Sequence, residues 1–166
     1  MERYEDKLEK TLQVLKNPSR TDARGNAPIV YLVYQPEDVI QVRNIVDTFL
    51  SSKAEFHGFK THIVSMGDLV DKYINNHTYR DIWTDPSVDE EEMYNSIRQE
   101  IVSDKYLDKA ILDLQKEFSS EPNSLLVLKD VEMLHPFYMM GVIENEIYNY
   151  CCPLNMKSQF EAIVVQ

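Results

Sequence analysis

Glycine is scarce in this chain. Its 166 residues include four, Gly25, Gly58, Gly67 and Gly141, and none belongs to the G-x-x-x-x-G-K-[ST] pattern that cradles phosphates. Cysteine is scarcer: Cys151 and Cys152 are adjacent, and neighbours in sequence form only strained disulfides. A disulfide framework is thereby excluded, and we expect two reduced thiols in a cytoplasmic protein. No apolar run approaches the length of a membrane span, and the opening "MERYEDKLEK" lacks the apolar core of a secretion signal. Basic residues are in deficit, 17 against 28 acids for a formal charge of −11. With no clustered lysines or arginines, that excess opposes direct binding of nucleic acid. His57, His62, His77 and His135 show no metal-ligand spacing, and no nucleophile elbow or Ser/His/Asp order is present. The sequence thus predicts neither cofactor nor catalytic residue.

What is present is an ordinary apolar content of 43%, enough for one self-sufficient domain spanning the whole chain. Tyr4, Leu8, Leu12 and Leu15 recur at helical spacing and predict an amphipathic helix over 2–17. "NPSRTDARGNAP" (17–28) reads as a loop, and the sheet-and-helix core is expected over 29–166. "IVYLVY" (29–34) is an unbroken apolar run, the mark of a strand buried on both faces of a parallel sheet. In "QPEDVIQVRNIVDTFLSS", Pro36 suits a first helical position, and Glu37 and Asp38 suit the first turn. Val39, Val42, Val46, Phe49 and Leu50 then form a stripe. "FKTHIVSM" predicts a second strand and "GDLVDKYINNH" a short helix that Asp68 could cap. Residues 77–88 look irregular. The acidic run Asp89–Glu92 fits a helix's first turn. Met93, Ile97, Ile101, Leu107, Ile111, Leu114 and Phe118 predict two helices offset near Ser103. "SLLVLK" reads as a strand, 136–150 as a helix with a core stripe at Met139, Val142, Ile143, Ile147 and Tyr150, and "FEAIVVQ" as a last strand. Ending on an apolar strand is what a C-terminally trimmed chain would do.

This alternation predicts an α/β fold, a three-layer sandwich around a mainly parallel sheet. Ligands of such sheets bind beyond the carboxyl ends of the strands, where Tyr34 and Gln35, Ser65 to Asp68, and Lys129 to His135 should lie. An apolar strand delivering Asp130 and Glu132 resembles the metal-binding strand of P-loop NTPases. The loop after the first strand, however, is "QPED". It puts Glu37 and Asp38 where phosphate would sit and supplies no lysine. The expectation is a P-loop-like core without its phosphate loop. Asp130 and Glu132 are then a solvated strand end, or the remnant of a ligand site. The second alternative is a degenerate nucleotide-binding or hydrolytic domain using those acids. Gln35, Glu37, Asp130, Glu132 and His135 are the candidate ligand or interface residues, with His135 before Pro136 read first as a helix-start residue. Ten tyrosines agree with a protein-binding surface.

Four segments together carry a family resemblance. "NAPIVYLVYQPEDVIQVRNIVDTFL" resembles the signature region of BrxB, a component of bacterial BREX phage-exclusion systems: an apolar strand, a Pro-acidic-acidic helix start, then Val-Arg. "FKTHIVSMGDLVDKYI", "LLVLKDVEMLHPFYMMGVIENEIYNY" and "EAIVVQ" are similar to that family's later strands and helices. The resemblance implies a non-enzymatic subunit that binds other BREX components, PglZ first and the AAA-type ATPase second. It carries over no catalytic residue.

Overall fold

The computed structural model describes residues 3–16, 29–119, 121, 123–143 and 161–165. The expected 17–28 loop, the 144–150 portion of the last helix, and Cys151 and Cys152 lie outside them. The chain folds as a mixed α/β protein, predominantly helical. Helix α1 spans Tyr4–Leu15 and buries the four residues that its period selects, Tyr4, Leu8, Leu12 and Leu15. Strand β1, Ile29–Leu32, is shorter than expected. It lies at an edge of the sheet among the described strands rather than buried on both faces: Tyr31 within it is 40% exposed, and Val33, beyond its end, is exposed as well.

Helix α2 runs continuously over 36–56. It opens as a 3₁₀ turn at Pro36–Asp38, becomes α-helical at Val39–Ile45, widens to a π turn at Val46–Leu50 and closes as α-helix at Ser51–Phe56. The wide turn follows from how the helix packs. Val42, Val46, Leu50 and Ala54 are all buried, four residues apart, and such positions drift by about 40° per step on an α-helix. A π turn takes more residues per revolution and brings the stripe back to the sheet. Gly58 ends the helix at φ 88°. The Phe59 N–H bonds the Ala54 carbonyl at 2.8 Å and the Gly58 N–H that of Glu55 at 2.9 Å, a paired closure that needs a left-handed residue.

Strand β2 (Lys60–Ser65) leads into α3 (Met66–Asn76). The cap is Ser65, whose hydroxyl accepts the Asp68 N–H at 3.1 Å; Asp68 itself is not the cap, because it already lies inside the first turn. The 77–88 stretch is not wholly irregular but contains a short helix, α4, Arg80–Trp83. Helix α5 (Glu90–Ser103) is capped by Asp89, whose Oδ1 accepts the N–H groups of Glu91 and Glu92 at 3.0 and 3.1 Å. The acidic run is therefore a helix start, as its sequence suggested. Helix α6 is Tyr106–Ser119 and strand β3 is Ser124–Lys129. After β3 comes a 3₁₀ turn, Val131–Leu134, then a cis His135–Pro136 bond. The following helix begins at 140 rather than at Pro136, and Met139 and Val142, expected in the core, are exposed while Ile143 is buried. Strand β4 is Glu161–Val165.

The four strands among the described residues are parallel, in the order β1-β4-β3-β2. Central β3 buries Leu125 to Leu128 completely. Alternate side chains serve opposite faces. Leu125 and Val127 join Leu8, Leu12, Val42, Leu50 and Ile163 on one side. Leu126 and Leu128 join Met66, Trp83, Ile101, Ile111 and Leu134 on the other.

Candidate functional site

The two faces determine where a site can form. From β1 the chain leaves toward α2, on the face with Leu125 and Val127. From β2 and β3 it leaves toward the opposite face, where Met66, Val131 and Leu134 pack. Between β1 and β3 lies the end of β4. Outgoing chains that part in this way open a crevice at the carboxyl edge, the usual ligand position of an open α/β sheet.

Here the crevice is occupied by the protein's own side chains. Arg43, from the α-helical part of α2, ion-pairs through Nε with Asp130 Oδ1 at 2.6 Å and through Nη2 with Glu132 Oε1 at 2.8 Å. The Tyr34 hydroxyl, just past β1, donates to the other Glu132 oxygen at 3.2 Å. The Ser65 hydroxyl, at the end of β2, donates to Asp130 Oδ2 at 2.7 Å. One helical turn beyond Arg43, Asp47 in the π turn takes Lys129 Nζ at 2.6 Å. Lys129, Asp130 and Glu132 at the end of β3 are thus tied to α2 by ion pairs, and Tyr34 and Ser65, at the ends of β1 and β2, join through hydrogen bonds to the two acids. Asp130 adopts φ 57°, ψ 35°, the left-handed region that Asp enters more readily than most residues. The turn lets the backbone leave β3 sharply while the carboxylate stays facing Arg43.

The electrostatics follow from this packing. Burial, reinforced by the neighbouring Glu132 charge, pushes the Tyr34 phenol up to about 12, so it stays a donor across the working range of pH. For Arg43, burial opposes the charged form, but Asp130 and Glu132 outweigh it and the guanidinium is held more firmly protonated. At the other end of the crevice the Tyr4 hydroxyl donates to Asp38 Oδ2 at 2.6 Å and accepts the Gln35 N–H at 3.4 Å. The hydrogen bond to Asp38, then burial, raise the Tyr4 pKa. Helix α1 is in this way fastened onto the "QPED" turn.

Of the candidate residues, Asp130 and Glu132 come together; Gln35 contributes its backbone N–H. Glu37 and His135 are exposed and stand apart from the network. The reading of the acids as a solvated strand end is corrected for Asp130, whose side chain is 13% exposed and paired; Glu132 is paired too but stays 41% exposed. Sequence reasoning placed Tyr34, Ser65 and Lys129 at the right edge but passed over Arg43. Its signal was the Arg43/Asp47 spacing of four, which sets opposite charges on one helix face. Among the described residues, no group of three or more His, Cys, Asp or Glu could hold a metal ion, and no helix is long and apolar enough to cross a membrane. No family model and no curated protein matches this chain.

Proposed function

We propose that this chain is a BrxB-like, non-enzymatic subunit of a bacterial phage-exclusion system, acting in the cytoplasm as an adaptor between other components of that system. In this reading the sheet is the centre of a three-layer sandwich derived from a P-loop NTPase core, and it has lost the phosphate loop. The observation that carries the proposal is the crevice filled by Arg43. A nucleotide enzyme needs the acids after its apolar strand free to hold a hydrated cation. Here the protein's own guanidinium pairs with both, and the Pro36–Asp38 turn stands where the cradle would be. Arg43 belongs to the Val-Arg pair that carries the family resemblance. What remains for function is the outer surface, with its strong negative charge.

PglZ is the first expected partner and the AAA-type ATPase the second, with no direct contact to nucleic acid. An acidic surface speeds association with a basic one and makes binding salt-sensitive. The test is co-purification of the tagged chain with these components at low and at physiological salt. Recovery that weakens as salt rises is expected. A chain that emerges alone yet shifts DNA in a gel, or that binds Mg²⁺-ATP saturably in calorimetry, would sink the adaptor reading.

A further inference from the structure

His77 follows α3 and stands 13% exposed at the junction of α3, α4 and α5. Its ring stacks on Trp83 with centroids 4.5 Å apart and planes 18° from parallel. Tyr73 and Tyr79 each lie 5.1 Å from it. The Tyr79 backbone N–H donates to Nδ1 at 3.1 Å. Nδ1 therefore carries no proton, and in the neutral ring the proton sits on Nε2. That nitrogen faces two carboxylates from the end of α5, Glu100 at 3.9 Å and Asp104 at 4.0 Å, both beyond good hydrogen-bonding distance.

The other titratable and charged groups around the ring are already engaged. The Tyr73 hydroxyl donates to Asp104 at 2.8 Å, and burial raises both Tyr73 and its neighbour Tyr106 on α6, 4.8 Å away. On α4, Arg80 bonds Asn75 and pairs with Asp81. A second proton on His77 would have two opposed local effects. At Nδ1 it would set a donor against the Tyr79 N–H, which cannot turn away without moving the start of α4. At Nε2 it would create a cation between two acids and over an indole face, all of which attract it.

We propose that His77 is an acid-sensitive fastener of α4: protonation breaks the Tyr79 N–H···Nδ1 bond and re-seats the 77–83 segment against Glu100 and Asp104. The element that moves carries Tyr79 and Ile82, 44% and 57% exposed, so one proton changes how this apolar pair is displayed.

Trp83 is the chain's sole tryptophan, and an imidazolium stacked on an indole quenches its emission. The experiment is a fluorescence titration of the intact chain between about pH 8 and 5, the range in which histidine changes charge. Emission is expected to fall in a one-proton transition that is lost in His77→Gln. A flat profile in the unsubstituted chain, or the same transition in His77→Gln, would overturn the proposal. Should the substitution prevent folding, nitrogen NMR of the native chain decides instead. The Tyr79 amide is expected to shift with the midpoint of the His77 ring; a ring that titrates while that amide stays fixed refutes the fastener.

Discussion

Arg43 is 41% exposed, yet it holds a carboxylate that is only 13% exposed. This asymmetry determines which substitutions hurt. Truncating Arg43 leaves Asp130 half-desolvated without its counter-charge. Arg43→Ala is expected to cost about 2 kcal/mol, the scale of a hydrogen bond to a charged group, read as a lower urea midpoint. Arg43→Lys should recover only part of it, since an ammonium cannot reach two carboxylates with a fixed fork. An Asp130→Ala/Glu132→Ala pair leaves Arg43 free to turn to water, but it also places alanine at φ 57°. Its cost should be smaller than that of Arg43→Ala, though above the negligible change expected for a solvated strand end. Gln115 raises the opposite question. It is fully buried in α6, one turn after Ile111, and neither of its amide atoms has a hydrogen-bond partner among the described residues. Replacing an unsatisfied amide by an apolar group of similar size removes its desolvation penalty, so Gln115→Leu should raise stability by about 1–2 kcal/mol. An unchanged or lower urea midpoint would show that the amide is satisfied after all.

Among the elements, α1 is fastened at two points. Tyr4 bonds Asp38 at its start, and Glu9 Oε1 meets His57 Nε2 at 2.7 Å further along. The hydrogen bond from His57 lowers the Glu9 carboxyl from its ordinary 4.5. A carboxylate whose pKa is lowered by folding stabilises the fold above its unfolded value, and that contribution is lost as pH falls through the folded value. Glu9→Gln should therefore be less stable than the natural chain at neutral pH, and the difference should shrink as the pH drops below about 4.5. Denaturant midpoints at three or four pH values test this; a difference that grows on acidification would contradict the clasp. At the junction of β2 and β3, Glu121 is lowered in the same way, first by Lys60 at 2.7 Å. The helices themselves were largely legible. The stripe of α1, the offset near Ser103 and the acidic start of α5 follow from local periodicity and capping, which need no partner to be read. The π turn of α2, the brief α4 and the 3₁₀ turn after β3 were not legible. Each is a local compromise imposed by what it packs against.

Over the whole molecule, the unbroken run Leu125–Leu128 was enough to predict a strand, and the fold buries it on both sides. The parallel sheet follows from its alternation with helices. The sequence alone could not give the order β1-β4-β3-β2, because apolar runs of similar composition carry no label for their neighbours. That order, with helices leaving toward opposite faces, is what opens a crevice between β1 and β3. It also brings Arg43 within reach of acids 87 and 89 residues further along the chain.

Composition and local pattern by themselves determined that the G-x-x-x-x-G-K-[ST] pattern is missing, the negative charge, and most of the described helices and strands. These depend on residues near one another in sequence. Tertiary structure alone decided that Asp130 and Glu132 are both held by Arg43, that Tyr4 closes the turn after β1, and that His77 lies between an indole and two carboxylates. Each of these depends on Coulomb attraction or ring contact over a few ångströms between segments distant in sequence, and no local pattern encodes such distances.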